Sequence, residues 1–154
     1  LDRGVSAVVG SVLMIAIVVG SAAVVAMFVT DVATTSNEPA PQTSFEATAE
    51  AEENVITLVH DGGDPIKMDR VRLRVEINGT PLDEQPPVPF FSASGFRPGP
   101  TGPFNPSTDN TWTAGERASI RIASTNTPVL RAGARVTVLL SVGNTVIFES
   151  TIPA

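Results

Sequence analysis

Residues 4–30 read GVSAVVGSVLMIAIVVGSAAVVAMFVT, 27 consecutive positions without a charged side chain. At about 1.5 Å per residue, a helix of this length extends about 40 Å and exceeds the roughly 30 Å hydrocarbon core of a bilayer. A cleavable secretory signal has an apolar core of only about 7–15 residues, so the run reads as a retained part of the mature chain. A sequence that opens on Leu1 and not on Met is expected to follow an upstream processing step. The run is apolar on every side of a helical wheel, so the helix belongs in lipid or inside protein.

Its small residues fall at helical spacing. Ser6 and Gly10, Ala16 and Gly20, and Ala22 and Ala26 each stand four apart. That spacing lets two helix backbones approach closely and gain dispersion contacts where solvent supplies no drive. These six residues are the candidate helix-bundle packing positions. A lone membrane anchor, in which Gly and Ala are simply common, is the competing reading.

Beyond Asp31 the chain turns polar, and Pro39 and Pro41 end any helix. The expected organisation is a hydrophobic assembly helix over residues 1–36, a linker over 37–43 and a head over 44–154. The head is read from alternation. In 71–77, VRLRVEI, Val71, Leu73, Val75 and Ile77 point one way and Arg72, Arg74 and Glu76 the other. Further strands are expected at 55–60, 118–123, 135–142 and 145–152, with one through Phe45, Ala47 and Ala49. Gly143-Asn144 marks a tight hairpin. The fold class is α+β: a long N-terminal hydrophobic helix followed by an all-β head, an immunoglobulin-like sandwich. Seven prolines between Pro86 and Pro106 make that segment a long surface excursion, read as pinned over the head by Phe90, Phe91, Phe96 and Phe104. The alternative is a variable surface that engages a neighbour or a target.

The whole chain has 154 residues, enough for one modest domain and one extra element. It has no Cys and one His, which removes disulfides, zinc fingers, thiol nucleophiles and His-rich metal centres. A formal charge of −6, from 16 acids against 10 bases, leaves no cation excess for nucleic acid. Nine Arg against one Lys, Lys67, on an acidic chain suits strong brine, although 17 % charged residues is ordinary. Residues 60–65, His-Asp-Gly-Gly-Asp-Pro, invite a catalytic His–Asp pair or a calcium loop on Asp61, Asp64 and Asp69. No G-x-S-x-G elbow and no EF-hand spacing accompany them. They read instead as turn formers joining strands, with His60 a capping or packing residue at its strand's end. No catalytic residue, metal or cofactor is expected, and the chain is not read as an enzyme. Glu46, Glu50, Glu52 and Glu53 form an acidic cluster read as a solvated face. Asn78-Gly79-Thr80 is an N-glycosylation sequon, whereas Asn105 is followed by Pro106 and is excluded.

The block Arg3-Gly4-Val5-Ser6-Ala7-Val8-Val9-Gly10-Ser11-Val12-Leu13-Met14-Ile15-Ala16 resembles the opening R-x-V-S-P-V-I-G-x-I-L-M-V-A of archaeal type IV pilins. Residues 57–66, 112–116 and 146–148 are similar to the β domains of that family, haloarchaeal adhesion pilins above all. Ala7 stands where the family usually has Pro, and Val5 where bacterial pilins carry a helix glutamate. The processing site therefore falls either before Leu1 or after Gly4. The resemblance implies a structural subunit of an extracellular pilus, a glycoprotein that sits in the membrane before assembly and polymerises with identical subunits for surface adhesion. It also implies a prepilin peptidase, an assembly ATPase and a membrane platform protein as partners. An archaellin on the same helix plan and a singly anchored surface binding protein are the alternatives.

Overall fold

The computed structural model describes the backbone of residues 2–34 and 39–154 and the side chains of residues 6–26 and 39–154. It divides into two compact units, Leu1–Pro39 and Ala40–Ala154.

The first unit is one α-helix, α1, Asp2–Thr34. The long apolar run carries it, with no proline or charge between Gly4 and Thr30 to interrupt the backbone ladder. Every described side chain from Ser6 to Ala26 is exposed within the chain. Ser11 and Ser21 do not break the apolar surface: each hydroxyl donates back to a carbonyl one turn earlier, Ala7 at 3.0 Å and Ile17 at 2.8 Å.

The second unit is built from nine antiparallel strands: β1 Thr43–Glu50, β2 Val55–Gly63, β3 Ile66–Lys67, β4 Val71–Ile77, β5 Thr80–Pro81, β6 Thr111–Trp112, β7 Arg117–Arg121, β8 Arg135–Val142 and β9 Thr145–Pro153. They form a three-stranded sheet, β1-β2-β7, a four-stranded sheet, β5-β4-β8-β9, and the small pair β3-β6. The alternation read from the sequence decides the layers. Ile56 and Leu58 of β2, Val71, Leu73, Val75 and Ile77 of β4, and Val136, Val138 and Leu140 of β8 all enter one continuous core. The chain is thus α+β, an apolar helix followed by a sheet-rich head.

An aromatic cluster ties the two larger sheets together. Phe45 of β1 lies 4.9 Å from the Trp112 ring, 4.9 Å from His60 and 5.7 Å from Phe148 of β9, while Phe104 from the excursion meets Trp112 at 5.2 Å. The near-edge geometry of the Phe45–Trp112 and Phe104–Trp112 pairs suits ring quadrupoles. The Trp112 indole donates to the Glu116 carbonyl at 3.0 Å, so the buried ring leaves no polar atom unmet.

Three readings are refined by the structure. The excursion carries no named strand between β5 and β6, and Phe90, Phe96 and Phe104 are buried, but Phe91 is 61 % exposed and pins nothing. Strand β2 does not stop at His60; it runs through Gly63, with Asp61 left unopposed where Ser44 pairs with Gly62 and Phe45 with His60. Asn78-Gly79 closes a two-residue hairpin between β4 and β5, with φ of 51° and 79°, the type I′ pattern for which this dipeptide is suited.

Candidate functional site

The helix is the first candidate. Val8, Leu13, Met14, Ile15 and Ile17 are between 57 % and 68 % exposed, so no side of the described helix is buried by its own chain. At about 100° per residue, the midpoints of Ser6/Gly10, Ala16/Gly20 and Ala22/Ala26 point in three directions, turned by about 80° and then about 120°. They also stand at three heights, separated by about 15 Å and about 9 Å. The six small residues therefore do not make one stripe. They make three separate places where a neighbouring backbone can come close.

Gly10 and Gly20 sharpen this. A Cβ built on either meets nothing within 4 Å, and neither has a positive φ. Among the described residues nothing crowds either position, and glycine inside a helix costs about 1 kcal/mol relative to alanine. Open space at both positions leaves room for a close neighbour.

On the head, the 60–65 segment is structural. His60 is fully buried, and its Nε2–H donates to the Asp64 carbonyl at 2.9 Å. Its Nδ1 is buried without a partner. The Asp64 carboxylate accepts the Gln42 N–H at 3.0 Å, and Asp61 is exposed. Among the described residues, no group of three His, Asp or Glu is placed to hold a metal. The segment fastens the start of β1, a role that the turn-former reading missed because Gln42 lies 22 residues earlier in the chain.

Asn78 is exposed at its hairpin. Its Oδ1 accepts the Arg135 N–H at 2.9 Å while its own N–H donates to the Arg135 carbonyl at 2.8 Å. The sequon asparagine thus serves the turn with its oxygen, not with the nitrogen to which a glycan attaches. The acidic cluster is split: Glu46 and Glu50 stand on β1, whereas Glu52 and Glu53 line an open hollow of about 240 Å³ with Asn54, Arg97 and Arg121.

Residues 3–45 match the family model described as archaeal type IV pilin, N-terminal. A curated relative from Archaeoglobus fulgidus, described as an uncharacterized protein, is 35 % identical over 78 residues. The match covers 51 % of this chain and 54 % of the relative, so the chain spans about half the length of the curated relative it matches. The described residues of α1, Ser6–Ala26, are long and apolar enough to cross a membrane.

Proposed function

We propose that this chain is a structural subunit of an extracellular archaeal type IV pilus, that it polymerises through α1, and that the filament serves surface adhesion. The observation that carries the reading is a helix exposed on every described side, with two glycines that nothing among the described residues crowds. The family match over residues 3–45 supports it.

The physics of assembly follows from the helix. Before assembly α1 sits in the bilayer, its backbone bonded within itself and its side chains in lipid. Leaving lipid costs little only where other helices of equal apolarity replace it, so the subunits gather their helices into a continuous bundle and hold their heads in water. A contact that never closes on itself repeats into a filament of open length.

In this reading residues 1–36 are the assembly helix and 44–154 the head, whose two facing antiparallel sheets are of immunoglobulin-like type; the linker of 37–43 lies partly outside the described residues, and its last residue, Thr43, already belongs to β1. Ser6, Gly10, Ala16, Gly20, Ala22 and Ala26 are the helix-packing positions, and Asn78 carries the glycan of a glycoprotein. A prepilin peptidase, an assembly ATPase and a membrane platform protein are the assembly partners. The subunit's role is mechanical and not catalytic.

Electron microscopy of producing cells tests the proposal. Surface filaments that disappear when the gene is deleted are expected. Membrane-dispersed monomers with no filaments would overturn it.

A further inference from the structure

Among the described residues, the buried side-chain polar atoms without a hydrogen-bond partner are His60 Nδ1 and Thr43 Oγ1. Folded proteins rarely leave such atoms unmet, because burial strips them of water and returns nothing. Both belong to one corner of the head.

The register of β1 and β2 puts them there. Phe45 stands opposite His60, and Thr43 stands opposite Gly63, which brings no side chain to it. Exposure alternates along β1, with Thr43, Phe45 and Ala47 on the covered side and Ser44 and Glu46 on the exposed side. Thr43 is therefore the diagonal neighbour of His60 on the covered side, a relation that spans about 7–8 Å in a regular ladder. That is too wide for direct contact between backbones and close enough for side chains to converge. The ladder is also irregular at this place, where the register shifts between Ser44 and Phe45.

The imidazole is held from three directions. Its Nε2 lies 2.9 Å from the Asp64 carbonyl, and Asp64 is bonded twice to Gln42, the residue before Thr43. The Phe45 and Trp112 rings, centred 4.9 Å and 6.3 Å away, restrict its swing. A carbonyl oxygen accepts and does not donate, so the proton of the neutral ring sits on Nε2 and Nδ1 offers a lone pair. The Thr43 hydroxyl can donate one proton and accept others.

We infer that this corner is a binding site for one ordered internal water, which donates to His60 Nδ1 and bonds Thr43 Oγ1. Two protein partners fall within the range of about 2–4 that internal waters use. The water supplies what the shifted register does not, a polar link between the start of β1 and β2 on their covered side. It completes the fastening that Asp64 and Gln42 make through the backbone. The inference concerns the head alone and does not depend on polymerisation.

The chain's single histidine makes the test direct, since every imidazole 15N signal from the full chain in detergent comes from His60. The expected spectrum has a proton on Nε2 and none on Nδ1, with magnetisation passing from a long-lived water to the His60 ring protons and the Thr43 methyl group. Thr43→Val is expected to shift the Nδ1 resonance, whereas Thr43→Ser, which keeps the hydroxyl, leaves it in place. A proton on Nδ1, or no transfer from water in the unaltered folded chain, would overturn the inference without recourse to any variant. A Nδ1 resonance that moves with Thr43→Val in the absence of water transfer would show a direct Thr43–His60 bond and overturn it as well. An Nδ1 resonance unmoved by Thr43→Val would separate the two residues and do the same.

Discussion

Asp64 grips Gln42 from both directions. Its carboxylate accepts the Gln42 N–H at 3.0 Å, and its own N–H donates to the Gln42 carbonyl at 2.9 Å. Between them Gly63 adopts a φ of +100°, and a Cβ there would run into the Gln42 carbonyl. The start of β1 is therefore fixed by residues that a turn reading treats as connectors.

Asp64→Ala removes one of these two bonds and is expected to cost the head about 1 kcal/mol. Gly63→Ala combines an unfavourable backbone region with the collision and is expected to cost about 2 kcal/mol or more. Urea unfolding of the purified protein gives both values. The order Gly63→Ala above Asp64→Ala is the decisive feature, and the reverse order would contradict the clamp.

Gln85 acts as a strand neighbour made of one side chain. Its Oε1 accepts the Val75 N–H at 2.8 Å, and its Nε2 donates to the Val75 and Leu82 carbonyls at 3.0 Å. Asn126, 1 % exposed, plays the same part further along: it accepts from the Glu84 N–H and donates to the Glu84 and Gly95 carbonyls. Either residue changed to Ala strands buried backbone groups, with an expected loss of about 2 kcal/mol. Thermal unfolding measures it, and losses within experimental error would show that water replaces both side chains.

Ala16→Leu and Gly20→Leu should leave membrane insertion intact, because the segment only becomes more apolar, while hindering close helix approach. Filament yield is expected to fall with the membrane pool unchanged. Normal yield from both variants would contradict the packing positions, and a lost membrane pool would point to insertion instead.

Thr80→Val removes the sequon while keeping the β-branched shape in β5 and both Asn78–Arg135 bonds. Mass spectrometry of the mature chain is expected to show loss of one glycan with unchanged head stability. Asn78→Gln, by contrast, should also disturb the hairpin, since a longer side chain suits neither the turn nor the Arg135 N–H. Identical masses for Thr80→Val and the unaltered chain, apart from the substitution, would show that Asn78 carries no sugar.

Local periodicity accounts for what was legible. The strict alternation of Val71, Leu73, Val75 and Ile77 is visible in seven residues because a one-sided strand must expose every second side chain. Strand β1 and the Gly143-Asn144 hairpin are local in the same way. What escaped depends on partners far along the chain. Ile66 and Trp112 pair across 46 residues in strands of two residues each, too short to show a period. Phe91 has the same chemistry as Phe90, and only the fold of the excursion decides that one ring is buried and the other exposed. Asn78-Gly79 was open to recognition, because Asn-Gly after a strand is itself a hairpin signal. For the helix, sequence spacing identified the small residues. The structure adds that a Cβ on Gly10 or Gly20 meets nothing within 4 Å among the described residues and that the three pairs point three ways.

A density map of the assembled polymer tests the central claim most directly. The account predicts α1 helices gathered on the filament axis about 8–10 Å apart, with Gly10 and Gly20 at the closest crossings. Helices separated from one another by lipid or solvent, with subunits joined only through their heads, would contradict it.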